Sequence, residues 1–447
     1  MKYEMMTLPG SIVALMYLII FYLISYIVVK RRYANQPDTI RLFFRGLTLK
    51  LIGGLGFALV YQFYYGYGDT FRYFSNASAL VEVFFQDPWE YLSLMLKTQV
   101  STIDSASYFG VTDAWDSNSS FLVAKVASFI GLFTGQFFLV TTFWFAFLSY
   151  VGIWGLYRAS YRQFPRYRKY LAIAVLYIPS VFFWGSSLMK DSLMLGFLGL
   201  VVYLVYRSLI LKEFNLIFLT MMAFGMYVLF NIKTYVILSF LPSMVLWVVL
   251  SNTRQIRNRR LRQLIKPISI AVVLLIVGVG LPIASSYSER YNLDSALESA
   301  EVTANYIYRI SVQKDGSAYS LGEISYTPLG LVRVFPQAVN VSLFRPYLWE
   351  VRNPVMLLAA LEGTAFLLIT LYLFLKVGFF GFFRLVGSHP FVFASLIFAV
   401  IFAFAVGVST FNFGSLVRYK IPCLCFYGIV LAIVYGEYKN RRGIVLT

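Results

Sequence analysis

The chain has two cysteines and one histidine in 447 residues, too little to build a disulfide framework or a zinc centre. Cys423 and Cys425 are two positions apart in an apolar run, where a helix points them away from each other. His389 stands alone, so no cofactor is expected; a dependence on a divalent metal is left open. Charge is scarce too: Asp, Glu, Lys and Arg are 13% of the chain, with 20 acids against 38 bases. A water-soluble chain of ordinary composition carries about 25%. The first apolar run has no basic segment before it beyond Lys2 and no small-residue cleavage site after it. It therefore reads as an uncleaved anchor. No internal repeat is evident, which counts against an inverted-repeat transporter.

What the chain has is hydrophobic surface. Apolar residues make up 59% and aromatics 19%, in long runs separated by charged clusters. That pattern defines a polytopic membrane protein. The formal charge of +18 does not point to nucleic acid, because the cations sit in short patches between apolar runs and act as topology determinants. Membrane lipids are the expected surroundings.

Apolar length gives spans at Pro9–Val29, Leu47–Tyr64, Gln136–Tyr157, Leu171–Trp184, Ser192–Tyr206 and Leu216–Phe230, then Val236–Leu250, Ile268–Ala284, Val355–Leu375, Phe391–Val408 and Ile421–Tyr435. Basic clusters follow alternate spans: Lys30 to Arg32, Arg158 to Lys169, Arg207 with Lys212, Arg254 to Arg262, and Lys439 to Arg442. The expectation is an all-α bundle of about eleven spans, a single membrane domain with N-terminus out and C-terminus in. Two large outer loops, 66–120 and 285–353, complete it. In the first loop, Ala79–Phe85 and Pro88–Leu96 are amphipathic and suit the interface plane, while Phe121–Phe133 is apolar but interrupted by Lys125.

Several residues break this pattern. Lys190, Lys233, Arg418 and Lys420 fall on the expected outer face, where topology does not need them, and the second loop adds Arg333, Arg345 and Arg352. Lys190-Asp191 and Lys233 mark the tips of short hairpins. Singly, such cations snorkel to headgroups. Together, from non-adjacent hairpins, they suit an anionic head anchored in lipid, such as a polyprenyl phosphate or pyrophosphate. Glu362, inside the ninth span, reads as a carboxylate paired with a cation, with a bundle-organising role favoured. Arg345 and Glu350 flank aromatics just before that span, and a surface ion pair in an aromatic belt is the plainer account of them.

Asp69 follows an apolar run within Gly66-Tyr67-Gly68-Asp69-Thr70-Phe71-Arg72-Tyr73. It either caps the next helix, pairs with Arg72, or faces the outside with a chemical task. Gly68-Asp69-Thr70-Phe71-Arg72-Tyr73 resembles the first-loop aspartate motif of the GT-C superfamily of membrane glycosyltransferases. The Pro179…Lys190-Asp191 hairpin and Asn412…Arg418-Tyr419-Lys420-Ile421-Pro422 are similar to elements of bacterial polysaccharide-cluster membrane proteins, including the O-antigen polymerase group. One helix more than usual precedes the aspartate loop, and the second acid common in that loop is missing.

The resemblance implies a transferase of the bacterial inner membrane that moves sugar from a polyprenyl-phosphate carrier to a glycan acceptor at the outer face. Asp69 would be the general base, with Arg72 and Tyr73 positioning sugar. Lys190, Lys233, Arg345, Arg418 and Lys420 would hold the phosphate, beside Asp191 and Glu350. The rival expectations are a repeat-unit polymerase or ligase, and a flippase or exporter of lipid-linked glycans with no chemistry.

Overall fold

The computed structural model describes residues 5–97, 117–253, 317–322 and 327–443, with a few single positions between 264 and 309. The first half runs α1 (Leu8–Arg32), α2 (Pro37–Leu59, continued by a π-helical turn to Tyr65), α3 (Asp69–Gln86), α4 (Pro88–Leu96), α5 (Asn118–Thr134) and α6 (Phe138–Gln163). Then come α7 (Arg168–Leu176), α8 (Pro179–Trp184), α9 (Lys190–Val205, continued by a π-helical turn to Ile210), α10 (Leu216–Ile232) and α11 (Thr234–Thr253). The second half holds α12 (Pro328–Phe344), α13 (Pro354–Val377), α14 (Phe379–Ser388), α15 (Pro390–Thr410), α16 (Phe413–Tyr419) and α17 (Ile421–Arg441). Among the described residues there is no strand, only an isolated bridge between Ala318 and Asn412.

Among the described residues, eight helices are long and apolar enough to cross a membrane: α1, α2, α6, α9, α11, α13, α15 and α17, counting the π-helical extensions of α2 and α9. A helix satisfies its own backbone, which a lipid interior requires, and the chain is an integral membrane protein of helices. Sequence sets many of the starts. Proline stands in the first turn of α1, α2, α4, α12, α13, α15 and α17, where its missing N–H is no loss. Thr7, Asp87, Ser117, Thr327 and Asn353 cap their helices with side-chain oxygens.

Not every expected span is continuous. Leu171–Trp184 is two short helices, α7 and α8, with Tyr177 and Ile178 between them. Pro179 disfavours helical geometry at Ile178 and brings no N–H of its own, so the run breaks there. Leu216–Phe230 forms α10, 17 residues long, shorter than a full crossing of about 20. The expected span Ile268–Ala284 and the basic segment 254–262 fall almost wholly outside the described residues, as do 98–116 and most of 285–316 in the two expected loops. The amphipathic expectations correspond to α3 and α4.

The chain forms two compact units. The first comprises Met1–Ala159, Val181–Leu204 and Leu216–Thr234. Its tightest packing is glycine against backbone. A Cβ on Gly152 of α6 would lie 1.7 Å from the Gly196 carbonyl oxygen of α9, and one on Gly53 of α2 would lie 1.9 Å from the Phe182 oxygen. Small residues let helices approach this closely where no hydrophobic effect drives them together. The second unit comprises Ser160–Ser180, Val205–Asn215 and Tyr235–Thr447. Its centre is α17, of which 89% of the apolar window is buried. Around it, Ser342 Oγ donates to the Ala403 oxygen at 2.6 Å, and the Thr370 and Tyr427 hydroxyls meet at 2.7 Å.

The Gly152 contact is backbone on backbone, so no rotamer change relieves a larger residue there. Gly152→Val is expected to destabilise the first unit by about 3 kcal/mol or more, at the upper end of overpacking effects. Thermal unfolding in detergent checks this, and an unchanged Tm would contradict the close approach.

Candidate functional site

In the first unit the aspartate loop is shaped by two glycines. Gly66 has φ 70° and Gly68 φ 150°, and a Cβ on Gly68 would strike the Tyr61 ring at 2.5 Å. Only glycine fits this reversal, which starts α3 at Asp69 directly after α2. Gly68 is the cap and Asp69 is exposed in the first turn, where a carboxylate suits the helix dipole. Arg72 is also exposed. Tyr73, one turn on from Asp69, turns inward and is 7% exposed.

Tyr73 meets the first hairpin cation. Lys190 Nζ lies 5.8 Å from the Tyr73 ring centroid and donates to Ser119 Oγ at 2.8 Å and Ser117 Oγ at 3.3 Å. The two serines open α5, where Ser117 is the cap. The neighbouring Asp191 is almost wholly buried and accepts from Lys233 Nζ at 2.8 Å. The two hairpin tips singled out by sequence thus meet, and Lys233 is engaged with a carboxylate rather than held open.

The second unit gathers the other candidates. Arg345 pairs with Glu350, its Nε 3.1 Å from each carboxylate oxygen, and Glu350 also accepts from the Tyr347 N–H at 2.8 Å. The Arg345 guanidinium lies 5.2 Å from the Phe413 ring, 5.6 Å from Tyr319 and 5.8 Å from Tyr347. Such a cation among ring faces is held by their quadrupoles. Lys420 is wholly buried and donates to the Arg345 carbonyl at 2.8 Å, so it secures this segment from beneath. Arg418 is half-buried beside Tyr419. Trp349 is 80% exposed and stacks on Tyr347 at 4.7 Å.

The hydrogen bonds of Glu362 come from a serine rather than from a cation. Its oxygens accept the Ser180 backbone N–H at 2.8 Å and the Ser180 hydroxyl at 2.7 Å. The break before α8 leaves that N–H without a helical acceptor, and the carboxylate supplies one. A cavity of the same unit, about 530 Å³, is lined by Arg166, Tyr167, His389 and Glu437 among others. His389 Nε2 is 3.8 Å from Glu437 Oε1. Burial and the hydrogen-bonded Glu437 carboxylate hold the Tyr167 phenol above its ordinary range.

Two buried cations were missed or under-read in the sequence. Lys50 of α2 is 2% exposed and donates to Ser149 Oγ, the Val181 oxygen and the Gly185 oxygen at 3.1, 3.0 and 2.5 Å. All three ammonium protons are used. The signal was there: a lysine three residues inside an apolar run. Lys125 of α5 donates to the Met95 oxygen at 2.9 Å and to the Lys97 oxygen, closing the end of α4. Among the described residues no group of three or more His, Cys, Asp or Glu comes together.

No family model, curated protein or solved structure matches this chain.

The Asp191–Lys233 pair allows a direct test. Removing one member leaves a buried charge without its partner, at about 3–5 kcal/mol, whereas removing both leaves neither. Lys233→Met is expected to lower stability by about that amount, and Asp191→Asn with Lys233→Met to recover much of it. A double-mutant cycle on thermal or denaturant unfolding reads the coupling, and additive losses would contradict a buried pair.

Proposed function

We propose that the protein is a membrane glycosyltransferase. It takes sugar from a polyprenyl-phosphate carrier and passes it to a glycan acceptor, in cell-surface polysaccharide assembly at the bacterial inner membrane. The observation that carries this reading is in the first unit: α3 presents Asp69 at the surface and, one turn on, sets Tyr73 against Lys190. A carboxylate and the neighbour of a hairpin cation thereby stand one turn apart on the same helix. The orientation that goes with it has the N-terminus outside and about eleven spans, so that Asp69 opens to the outer face.

The chemistry follows from the groups. Asp69 accepts the proton of the acceptor hydroxyl as that oxygen bonds to the anomeric carbon. The bond from that carbon to the lipid phosphate breaks, and Lys190 balances the charge that develops on the departing phosphate. Arg72, exposed beside Asp69, orients the sugar. Lys233 and Asp191 hold the hairpin that carries Lys190.

A second reading has its own observation. The break between α7 and α8, set against the membrane carboxylate of Glu362, is the kind of discontinuous helix that transporters use. It favours an exporter of lipid-linked glycans.

Transfer from a lipid-linked sugar by purified protein separates the two. Asp69→Asn is expected to lower the rate about 10²–10⁴-fold, the usual weight of a general base. Lys190→Gln is expected to weaken use of the donor about tenfold or more. Full transfer by Asp69→Asn would remove the carboxylate from this role. Movement of the lipid-linked glycan across vesicles without any transfer would favour the exporter.

A further inference from the structure

A cavity of about 870 Å³ opens along the second unit between the broken α7–α8 segment, α13 and α17. Along α13 its wall extends from Leu358 to Tyr372, about 21 Å at the rise of a helix. Leu358, Leu361 and Leu368 on that wall are more than half exposed, so the groove is open to the lipid side. Every residue lining it is apolar or tyrosine except one, Glu362.

Glu362 is therefore a carboxyl group in the wall of a lipid-facing groove. The foremost influence on it is the apolar wall, which a charge must leave water to enter and which favours the neutral acid. Against that, the Ser180 N–H, the Ser180 hydroxyl and the field of the Lys420 ammonium favour the anion. Glu362 is the one carboxylate among the residues that line the groove. Between Glu362 and Lys376, α13 carries no other charge. The α7–α8 segment offers Tyr177 at the break and Tyr170 further along, with Arg168 and Lys169 at its far end, and Tyr372 of α13 and Tyr435 of α17 also line the groove. At the start of α17 are Lys420 and Cys423, whose thiol donates to the Lys420 oxygen, and further on Tyr427, bonded to Thr370. Arg345 and Glu350 are engaged with each other.

We propose that Glu362 is a proton-binding site of the membrane domain, reached through this groove and coupled to the break before α8. The proton is favoured over a metal cation because the wall offers one carboxylate and tyrosine hydroxyls, while Ser180 turns both its donors toward Glu362. When the carboxylate takes the proton, it becomes a weaker acceptor for Ser180, and the Tyr177–Pro179 break loses a restraint. The loaded and unloaded forms differ at the one discontinuity among the helices that line the groove. This assignment rests on the second unit alone and is independent of sugar transfer.

A lipid-soluble carbodiimide tests it. The acid proton passes to a carbodiimide nitrogen as the carboxylate oxygen adds to the central carbon. In a dry site the acyl group then migrates from oxygen to nitrogen, leaving a stable adduct of acid plus reagent. The full chain in lipid vesicles is treated with dicyclohexylcarbodiimide or with a water-soluble carbodiimide, from acid to alkaline pH, and mapped by peptide mass spectrometry. The expected result is an adduct on Glu362 with the lipid-soluble reagent, several-fold above the water-soluble one and falling as pH rises. Ser180→Ala, which keeps the carboxyl and both helices, is expected to move that fall upward by about one pH unit, because a bond favouring the anion is gone. No adduct on Glu362 at any pH, a pH-independent adduct, or equal labelling by both reagents would overturn the proposal, as would an unmoved profile in Ser180→Ala.

Discussion

A charge taken into an apolar helix bundle has to find its partner inside the bundle, because lipid offers none. Most of what is particular about this protein follows from that constraint. Lys50 spends its three protons on a serine and two carbonyls. Asp191 and Lys233 answer each other, and Lys420 takes the Arg345 carbonyl. Glu362 takes the two donors of Ser180. In each case the bond ties together segments far apart in sequence, so the groups that are hardest to bury also fix the bundle.

The constraint also separates buried charge from charge at the surface. Asp191 and Lys420 are buried, Lys233 is partly so, and all three are bonded; their first duty is to hold hairpins and loops in place. Asp69 and Arg72 are exposed at the start of an amphipathic helix, and Tyr73 of the same helix adjoins Lys190. Arg345 lies between: half-buried, paired with Glu350 and framed by three rings. A reactive group needs access, and by that measure the aspartate loop is the stronger candidate of the first unit.

Much of the fold was legible in the sequence because membrane helices are written in apolar length, and their starts in proline and capping side chains. The hairpin tips at Lys190 and Lys233 were legible for the same reason, as charges at the ends of apolar runs. The break at Pro179 was not read, although the proline was visible, because the run on either side is apolar enough to pass as one span. Lys50 was passed over inside a hydrophobic window whose average hid it. The pairings themselves were beyond reach, since Asp191 and Lys233 are 42 positions apart and Ser180 and Glu362 are 182 apart. Only the folded chain brings such residues together. The candidate site was thus read residue by residue but not pair by pair, and the pairs decide which cations remain open to a substrate.

The central claim is that the Asp69 loop opens to the face opposite the basic helix ends and receives a lipid-linked anion there. The native cysteines are both buried, so a single introduced thiol at Arg72 can be read against a quiet background. The decisive measurement is labelling of Arg72→Cys by a membrane-impermeant maleimide in sealed vesicles of known orientation, with and without polyprenyl phosphate. The account predicts labelling only from the face opposite Lys439 to Arg442, slowed by the lipid phosphate. Labelling only from the face of those basic residues, or labelling that the lipid phosphate leaves unchanged, would contradict it.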